Sequence, residues 1–250
     1  MNRFFAAVAG LLLSAPLLGA EAGAPAARTL VLVRHGHYEP DPNIDERVGP
    51  HLSPLGVAQA RLAGARLASL PLRFDALRVS PMQRARDTAA AIAADMPGRR
   101  FEVVDDLAEC TPPTHRTEVT AREKPEELVA CKARLDRVFA RYFQPAAGAP
   151  RTELLVCHGN VIRYLVTRAL GVDGAAWLGM SVGNASITRI RVEPDGRFKV
   201  IGVGDVGHLP PGLQSGASGD GEQGLAIAPL PMDGSTAPEA ARPVVRASQP

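Results

Sequence analysis

The segment LVLVRHGHY, residues 30–38, constrains the fold more than any other part of the chain. Leu30, Val31, Leu32 and Val33 form an uninterrupted apolar run and read as a buried strand. The run then meets Arg34, His35, Gly36 and His37. An unpaired polar group inside a core costs several kcal/mol, on the order of 2–7 by transfer data. The strand must therefore carry these side chains to a place where something pairs them. A second run, ELLVCHGN at 153–160, does the same and delivers His158 just past its apolar residues.

Around these runs, apolar stretches alternate with helical patterns. Strands are expected at Thr29–Val33, Phe74–Val79, Phe101–Val104, Glu153–Cys157, Ile187–Val192 and Phe198–Val203, the last two as a hairpin around Pro194-Asp195-Gly196. Ser53-Pro54 sets up a helix to about Leu70, since Ser accepts an orphan N–H and Pro suits the first helical position. Its inward face is expected at Leu55, Ala58, Leu62, Ala65 and Ser69. Ser80-Pro81 repeats the device before a helix to about Ala94. Further helices are expected over Pro125–Phe143, with Leu128, Leu135, Val138 and Phe139 inward, and over Val161–Leu170. Strands alternating with helices predict an α/β domain with a mainly parallel sheet. It is expected over residues 29–211, after a small-residue linker at 23–28 and before a disordered Gly/Ser/Ala/Pro tail at 212–250.

The net charge of +2 is spread along the chain, with no basic block and no aromatic-plus-basic stripe, so no nucleic-acid partner is expected. Arg3, the apolar run Phe4–Ala20 and Ala20-Glu21-Ala22 read as a signal peptide over residues 1–22, which predicts a periplasmic or secreted protein. The alternative is an uncleaved anchor, the one case in which membrane contact is expected. Of the cysteines Cys110, Cys131 and Cys157, the last falls in a buried strand, where Cys acts as a small hydrophobe. Cys110 and Cys131 are free to pair, and their spacing does not say whether they do.

Ligands of open α/β sheets sit beyond the carboxyl ends of strands, at a topological switch point. Arg34, His35 and His158 are expected at such ends. SPMQRARDTA, residues 80–89, puts Arg84 and Arg86 in the first turns of a helix that follows a strand, where helix N-termini attract anions. Arg86 is read as paired with Asp87 or solvent, and His37, His51, His115 and His208 as loop or surface residues. Two imidazoles and an arginine fork suit a phosphoryl group. Imidazole can attack phosphorus and form a covalent intermediate. Glu109, after a strand in DDLAEC, is the best-placed proton donor for the leaving oxygen.

VRHG, SPMQRARDTA, Glu109 and CHGN resemble the histidine phosphatase superfamily, the phosphoglycerate mutase-like fold. RHGHY, LSPLGVAQARLAGARLASL, CHGNVIRYLVTRAL, NASIT and GDVGHLPP resemble in particular its branch of mitochondrial phosphoglycerate-mutase-like Ser/Thr protein phosphatases and their bacterial relatives. The resemblance implies a three-layer sandwich with a mainly parallel central sheet. It implies His35 as the nucleophile that becomes phosphohistidine. Arg34, Arg84 and His158 would clamp the phosphoryl oxygens, and Glu109 would protonate the leaving group and then activate water. The catalytic set is thus His35, Glu109 and His158, with no metal or other cofactor. The partner implied is a phosphorylated substrate, a phosphoprotein or a small phosphomonoester.

The chain departs from the family pattern in places. Asp41 stands where mutases carry Asn, and the mutases' extra substrate-gripping segment is not recognisable between 109 and 125, so net hydrolysis is expected rather than isomerisation. Cys110 replaces the Gly that commonly follows the acid. Residues 39–51 and 110–122 are expected to form the cleft rim, with Arg116, Arg122 and Lys124 making the second segment basic. Three readings compete: a metal-independent phosphomonoesterase, with phosphoprotein or sugar and envelope phosphates as substrates; a metal hydrolase using His35-x-His37; and a non-catalytic phosphate-binding module. The metal-hydrolase barrel typically needs about 250 residues, more than the apparent core here.

Overall fold

A computed structural model describes residues 23–216. The expected leader at 1–22 and the tail from 217 onward lie outside the described residues. The described strands are β1 (Pro25–Ala26), β2 (Arg28–Arg34), β3 (Ala76–Val79), β4 (Glu102–Val103), β5 (Ala146–Ala147), β6 (Arg151–Cys157), β7 (Ile187–Val192) and β8 (Phe198–Asp205). The α-helices are α1 (Pro54–Ser69), α2 (Gln83–Ala93), α3 (Pro125–Tyr142) and α4 (Gly159–Ala169).

The main sheet has the order β4-β3-β6-β2-β7-β8. The first four strands are mutually parallel; β7 pairs antiparallel with β2, and β8 pairs antiparallel with β7. Leu30, Val31, Leu32 and Val33 are all fully buried, as a central strand covered on both faces requires. Successive residues serve opposite layers. Leu30, Leu32, Leu155 and Cys157 pack with α3 and α4, whereas Val31, Val33, Leu154 and Val156 pack with α1 and α2. The result is the expected α/β sandwich of three layers.

Local chemistry sets the helix starts. Ser53 Oγ accepts the Gly56 N–H at 3.2 Å and caps α1 as expected. α2 starts differently: Met82 is its N-cap and no side chain caps it, because the Ser80 hydroxyl is engaged elsewhere. The inward face of α1 is also rotated from expectation. Gly56, Gln59, Ala60, Ala63, Gly64 and Leu67 are buried, while Ala65 and Ser69 are exposed. The large apolar residues Leu55 and Leu62 lie at the rim. Small residues are what let α1 approach its neighbours closely. A Cβ on Gly36 would press into the Gly56 backbone, and one on Gly56 into the His37 carbonyl.

Both ends of the described chain are tied down. Residues 23–28, expected as a linker, include β1, which pairs antiparallel with β5. The chain also stays against the body past residue 211. Gln59 Nε2 donates to the Leu213 carbonyl at 2.7 Å and to Ser215 Oγ at 2.9 Å. Cys110 and Cys131 form a disulfide, and Cys157 is a buried free thiol whose ionisation burial pushes up. Among the described residues no helix is long and apolar enough to cross a membrane.

Candidate active site

β2 and β6 are parallel neighbours whose connections run in opposite directions along the sheet: the chain leaves β2 toward β3 on one side and leaves β6 toward β7 on the other. A crevice at the carboxyl ends of these two strands is the result. Their register pairs Arg34 with Cys157, so His35 and His158 emerge side by side. The His35 N–H donates to the Cys157 carbonyl at 2.9 Å, and the two imidazole centroids are 5.1 Å apart. Next door, the Ser80 N–H donates to the Val156 carbonyl at 3.0 Å, which places the approach to α2 against the same crevice. From α2, Arg84 Nε reaches His35 Nε2 at 3.2 Å. A cleft of about 460 Å³ opens above, lined by Tyr38, Asp41, Ile44, Met82, Arg84 and Glu109 among others. The structure thus brings Arg34, His35, Arg84, Glu109 and His158 to one region. Arg86 is exposed and outside it.

The proton positions follow from the hydrogen-bond partners. His35 Nδ1 lies 2.8 Å from the Gly36 carbonyl, an acceptor only, so Nδ1 carries the proton. Nε2 is then a lone pair, and Arg84 Nε donates to it. At His158, Nε2 lies 2.7 Å from Ser80 Oγ, which also accepts the Met82 N–H at 3.3 Å. With no other acceptor, the Ser80 proton goes to His158 Nε2. His158 Nδ1 then carries the ring proton, and this buried atom has no partner in the protein. Beside His35 and Arg84, such a buried donor is placed to bond the oxygen of a ligand or of water.

Charge and burial reinforce this. Burial, then the cations Arg34 and Arg84, hold the His35 imidazole well below its ordinary range, so it is neutral. Burial, then His35, Arg84 and Arg34, does the same to His158. Burial lowers Arg34 to about 10. The Glu109 carboxyl is pushed up by burial, against the pull of Arg34, Arg84 and the amide bonds from Cys110 and Asn160. The site therefore combines two neutral imidazoles, two cations and a carboxyl biased toward its protonated form.

The supporting residues were less visible in the sequence. Arg34 Nη1 is fixed by the carbonyls of Val182 at 2.6 Å and Gly216 at 2.9 Å. Thr88 Oγ1 accepts the Gly36 N–H at 3.0 Å while donating to the Arg84 carbonyl at 2.7 Å. Asn184 Nδ2 donates to the His35 carbonyl at 3.2 Å. Thr88 and Asn184 fall within the quoted SPMQRARDTA and NASIT stretches, but neither is assigned a role there. Ser80 is expected from the sequence to cap α2, and its hydroxyl instead bonds His158.

Three expectations fare differently. The His35-x-His37 pair is split: His37 Nδ1 bonds Ser53 Oγ at 2.8 Å at the start of α1. Among the described residues no group of three His, Cys, Asp or Glu is placed to hold a metal. The cleft wall comes from residues 38–50 together with Met82, Arg84 and Glu109, and residues 110–122 do not contribute to it. Arg116 instead pairs with Glu118.

Comparison with known proteins bears on the same residues. The family model of the histidine phosphatase superfamily (branch 1) matches residues 30–205. The mitochondrial serine/threonine-protein phosphatase Pgam5 of Caenorhabditis briggsae is 38% identical over 199 residues, covering 76% of this chain and 68% of that protein. Its Homo sapiens counterpart, PGAM5, is 36% identical over 193 residues, covering 75% and 66%. Among solved structures, a phosphoglycerate mutase from Plasmodium falciparum superposes with a TM-score of 0.52 at 25% identity, covering 74% of this chain and 95% of that one. These relatives correct one expectation. The phosphatases are named mitochondrial, which contradicts the expected periplasmic or secreted location. The location rested on residues 1–22, whose short basic and apolar composition does not by itself specify export. The match from strand β2 through β8 establishes that the chain belongs to the histidine phosphatase superfamily (branch 1), as a phosphatase that hydrolyses phosphoric monoesters.

Proposed function

We propose that the protein hydrolyses phosphomonoesters without a metal, in two displacement steps at His35, and that its substrates are phosphoserine or phosphothreonine side chains of proteins. The observation that carries the mechanism is the neutral His35 with its Nε2 lone pair facing Arg84 and, beside it, the unpartnered Nδ1–H of His158. A phosphoryl group entering there takes the Arg84 donor from Nε2 and accepts the His158 proton in a hydrogen bond. Arg34 and Arg84 supply the positive charge that transfer of a phosphoryl group requires.

His35 Nε2 attacks phosphorus, and the bond to the ester oxygen breaks. The Glu109 carboxyl gives its proton to the departing oxygen. The resulting carboxylate then takes a proton from water, whose oxygen attacks the phosphohistidine. The P–N bond breaks, inorganic phosphate leaves, and Glu109 is protonated again. The protein-phosphatase assignment is supported by the relatives, which are serine/threonine-protein phosphatases, and by the cleft of about 460 Å³ that reaches Arg84 and Glu109.

Hydrolysis of p-nitrophenyl phosphate in excess EDTA is the test of mechanism. Wild type turns over and His35→Ala does not, while wild type quenched in alkaline detergent, where the P–N bond survives, retains label from ³²P substrate on histidine. Full activity in the variant removes His35 as nucleophile. A protein that binds phosphate and never acquires label is a binding module. A panel of phosphopeptides and sugar phosphates then decides the substrate. Preference for the sugar phosphates overturns the protein-phosphatase reading and leaves the mechanism standing.

A further inference from the structure

Glu109 belongs to no strand or α-helix. It lies on the irregular segment after the 3-10 turn Asp105–Leu107, so its position depends on what grips that segment. Two of the grips come from one face of α3. The residue after Glu109, Cys110, is joined by a disulfide to Cys131, with Cα atoms 5.7 Å apart. Three residues further along α3, Arg134 Nη2 donates to the carbonyls of Ala108 at 2.8 Å and Glu109 at 3.3 Å. Residues three apart share a helix face. A weaker bond runs from Asn160 Nδ2 of α4 to the Cys110 carbonyl at 3.4 Å. The Cys110 N–H in turn donates to Glu109 Oε1 at 3.2 Å. The amide that holds the carboxyl is therefore the amide of the residue that the disulfide fixes.

We infer that Cys131 and Arg134 form a clamp on α3 that sets the position of the Glu109 carboxyl, with the Cys110–Cys131 disulfide as its redox-sensitive jaw. The inference rests on the proposed role of Glu109 as proton donor. A dithiol reductant opens the jaw: two electrons and two protons pass to the sulfurs, the S–S bond breaks to two thiols, and the dithiol closes to its own disulfide. Arg134, Asn160 and the bond from the Glu109 N–H to Met82 Sδ at 3.3 Å then hold the segment without it. A displacement near 1 Å can cost on the order of a hundredfold in rate. The whole contribution of a general acid is typically about 10²–10⁴-fold.

A bridge with only a structural role lowers turnover of every substrate alike. A bridge that positions the acid acts where the leaving oxygen needs a proton. Nitrophenolate departs with little assistance, whereas an alkoxide does not. The experiment measures kcat/KM for p-nitrophenyl phosphate and for β-glycerophosphate. It uses the full chain oxidised, the same chain after dithiothreitol, and the Cys110→Ser/Cys131→Ser variant. Thiol titration in denaturant confirms each state, since Cys157 is the free thiol of the oxidised protein.

Reduction and the double variant are each expected to lower kcat/KM for β-glycerophosphate about tenfold or more, and for p-nitrophenyl phosphate less than about threefold. Arg134→Ala is expected to give the same selective loss, and Arg134→Lys, which keeps a donor, to recover part of it. Reduction of the folded protein supplies the answer should the double variant not fold. Equal losses on both substrates, or no loss on either, overturn the clamp. Absence of His35-dependent hydrolysis in the oxidised wild type is a different failure, that of the proposed function itself.

Discussion

At His158 one hydroxyl decides which ring nitrogen faces the cleft with a proton. Ser80 donates to Nε2 and leaves the proton on Nδ1. Removing that hydroxyl leaves a buried Nε2 without a partner, at a cost of about 1–3 kcal/mol, and frees the ring to adopt the other tautomer. Loss of one oriented donor to a transition-state oxyanion typically costs about 10²–10³-fold. Ser80→Ala is therefore expected to lower kcat/KM roughly tenfold to a hundredfold, with Ser80→Thr restoring most of it. Unchanged kinetics in Ser80→Ala would mean that His158 holds no substrate oxygen. Glu109 makes a second claim at this scale. Burial raises its carboxyl above the ordinary glutamate range, and proton donation needs the protonated form. So kcat/KM falls as pH rises through the folded-state value. Glu109→Gln is expected to remove this alkaline limb and to lower kcat/KM for alkyl phosphates about a hundredfold. A limb that persists in the Gln variant belongs to another group.

Among the elements, β6 joins two tasks at opposite ends. Its carboxyl end presents His158, and near its start Glu153 is almost fully buried between Arg78 of β3 and Arg28 of β2. The Arg78 guanidinium also stacks over the Tyr142 ring at 4.8 Å. Removing one partner of a buried ion pair strands the other charges, at a cost of about 3–5 kcal/mol. Glu153→Ala is expected to lower Tm by roughly 10 °C, given about 2–4 °C per kcal/mol for a domain of this size. Because the triad lies at the far end of the strand from the cleft, kcat/KM below the transition should stay within about twofold, consistent with additivity of distant sites. Loss of activity in the folded variant would sink that separation. The elements also show where periodicity informs and where it misleads. The hairpin strand β7 and the inward residues Leu135 and Val138 of α3 were legible because large apolar residues pack at them. The inward face of α1 was not. Its contact surface is built from Gly56, Ala60, Ala63 and Gly64, whose small size permits close approach but contributes little to a hydrophobic pattern.

For the whole molecule, the site was legible where strand ends announce it and silent where backbone closes it. Arg34, His35 and His158 follow apolar runs, so their placement is readable from the order of residues. Gly216 and Val182 hold Arg34 through carbonyls, and carbonyls carry no residue-type signal. The completed site is an unbalanced one: Arg34 and Arg84 surround imidazoles kept neutral by burial. This links the cleft to global stability. Both His35 and His158 are held below the ordinary histidine value of 6.5, so the unfolded chain takes up protons that the native state refuses. Stability from these groups is present above about 6.5 and is lost as pH falls toward the folded values. Glu109, raised in the fold, works in the opposite sense over its own window, one carboxyl against two imidazoles. Tm is therefore expected to fall on acidification from pH 7.5 to 5.5, with His35→Ala showing a shallower decline. Inorganic phosphate supplies the missing negative charge and favours protonated imidazole, so it should flatten the decline. At about a hundred times its Kd it should add roughly 2.7 kcal/mol, or about 5–10 °C. Differential scanning fluorimetry across that pH range, with phosphate against an equal ionic strength of chloride, makes the measurement. A Tm that rises on acidification, or that phosphate leaves unchanged while chloride matches it, would show that the two imidazoles and two arginines do not form one anion site.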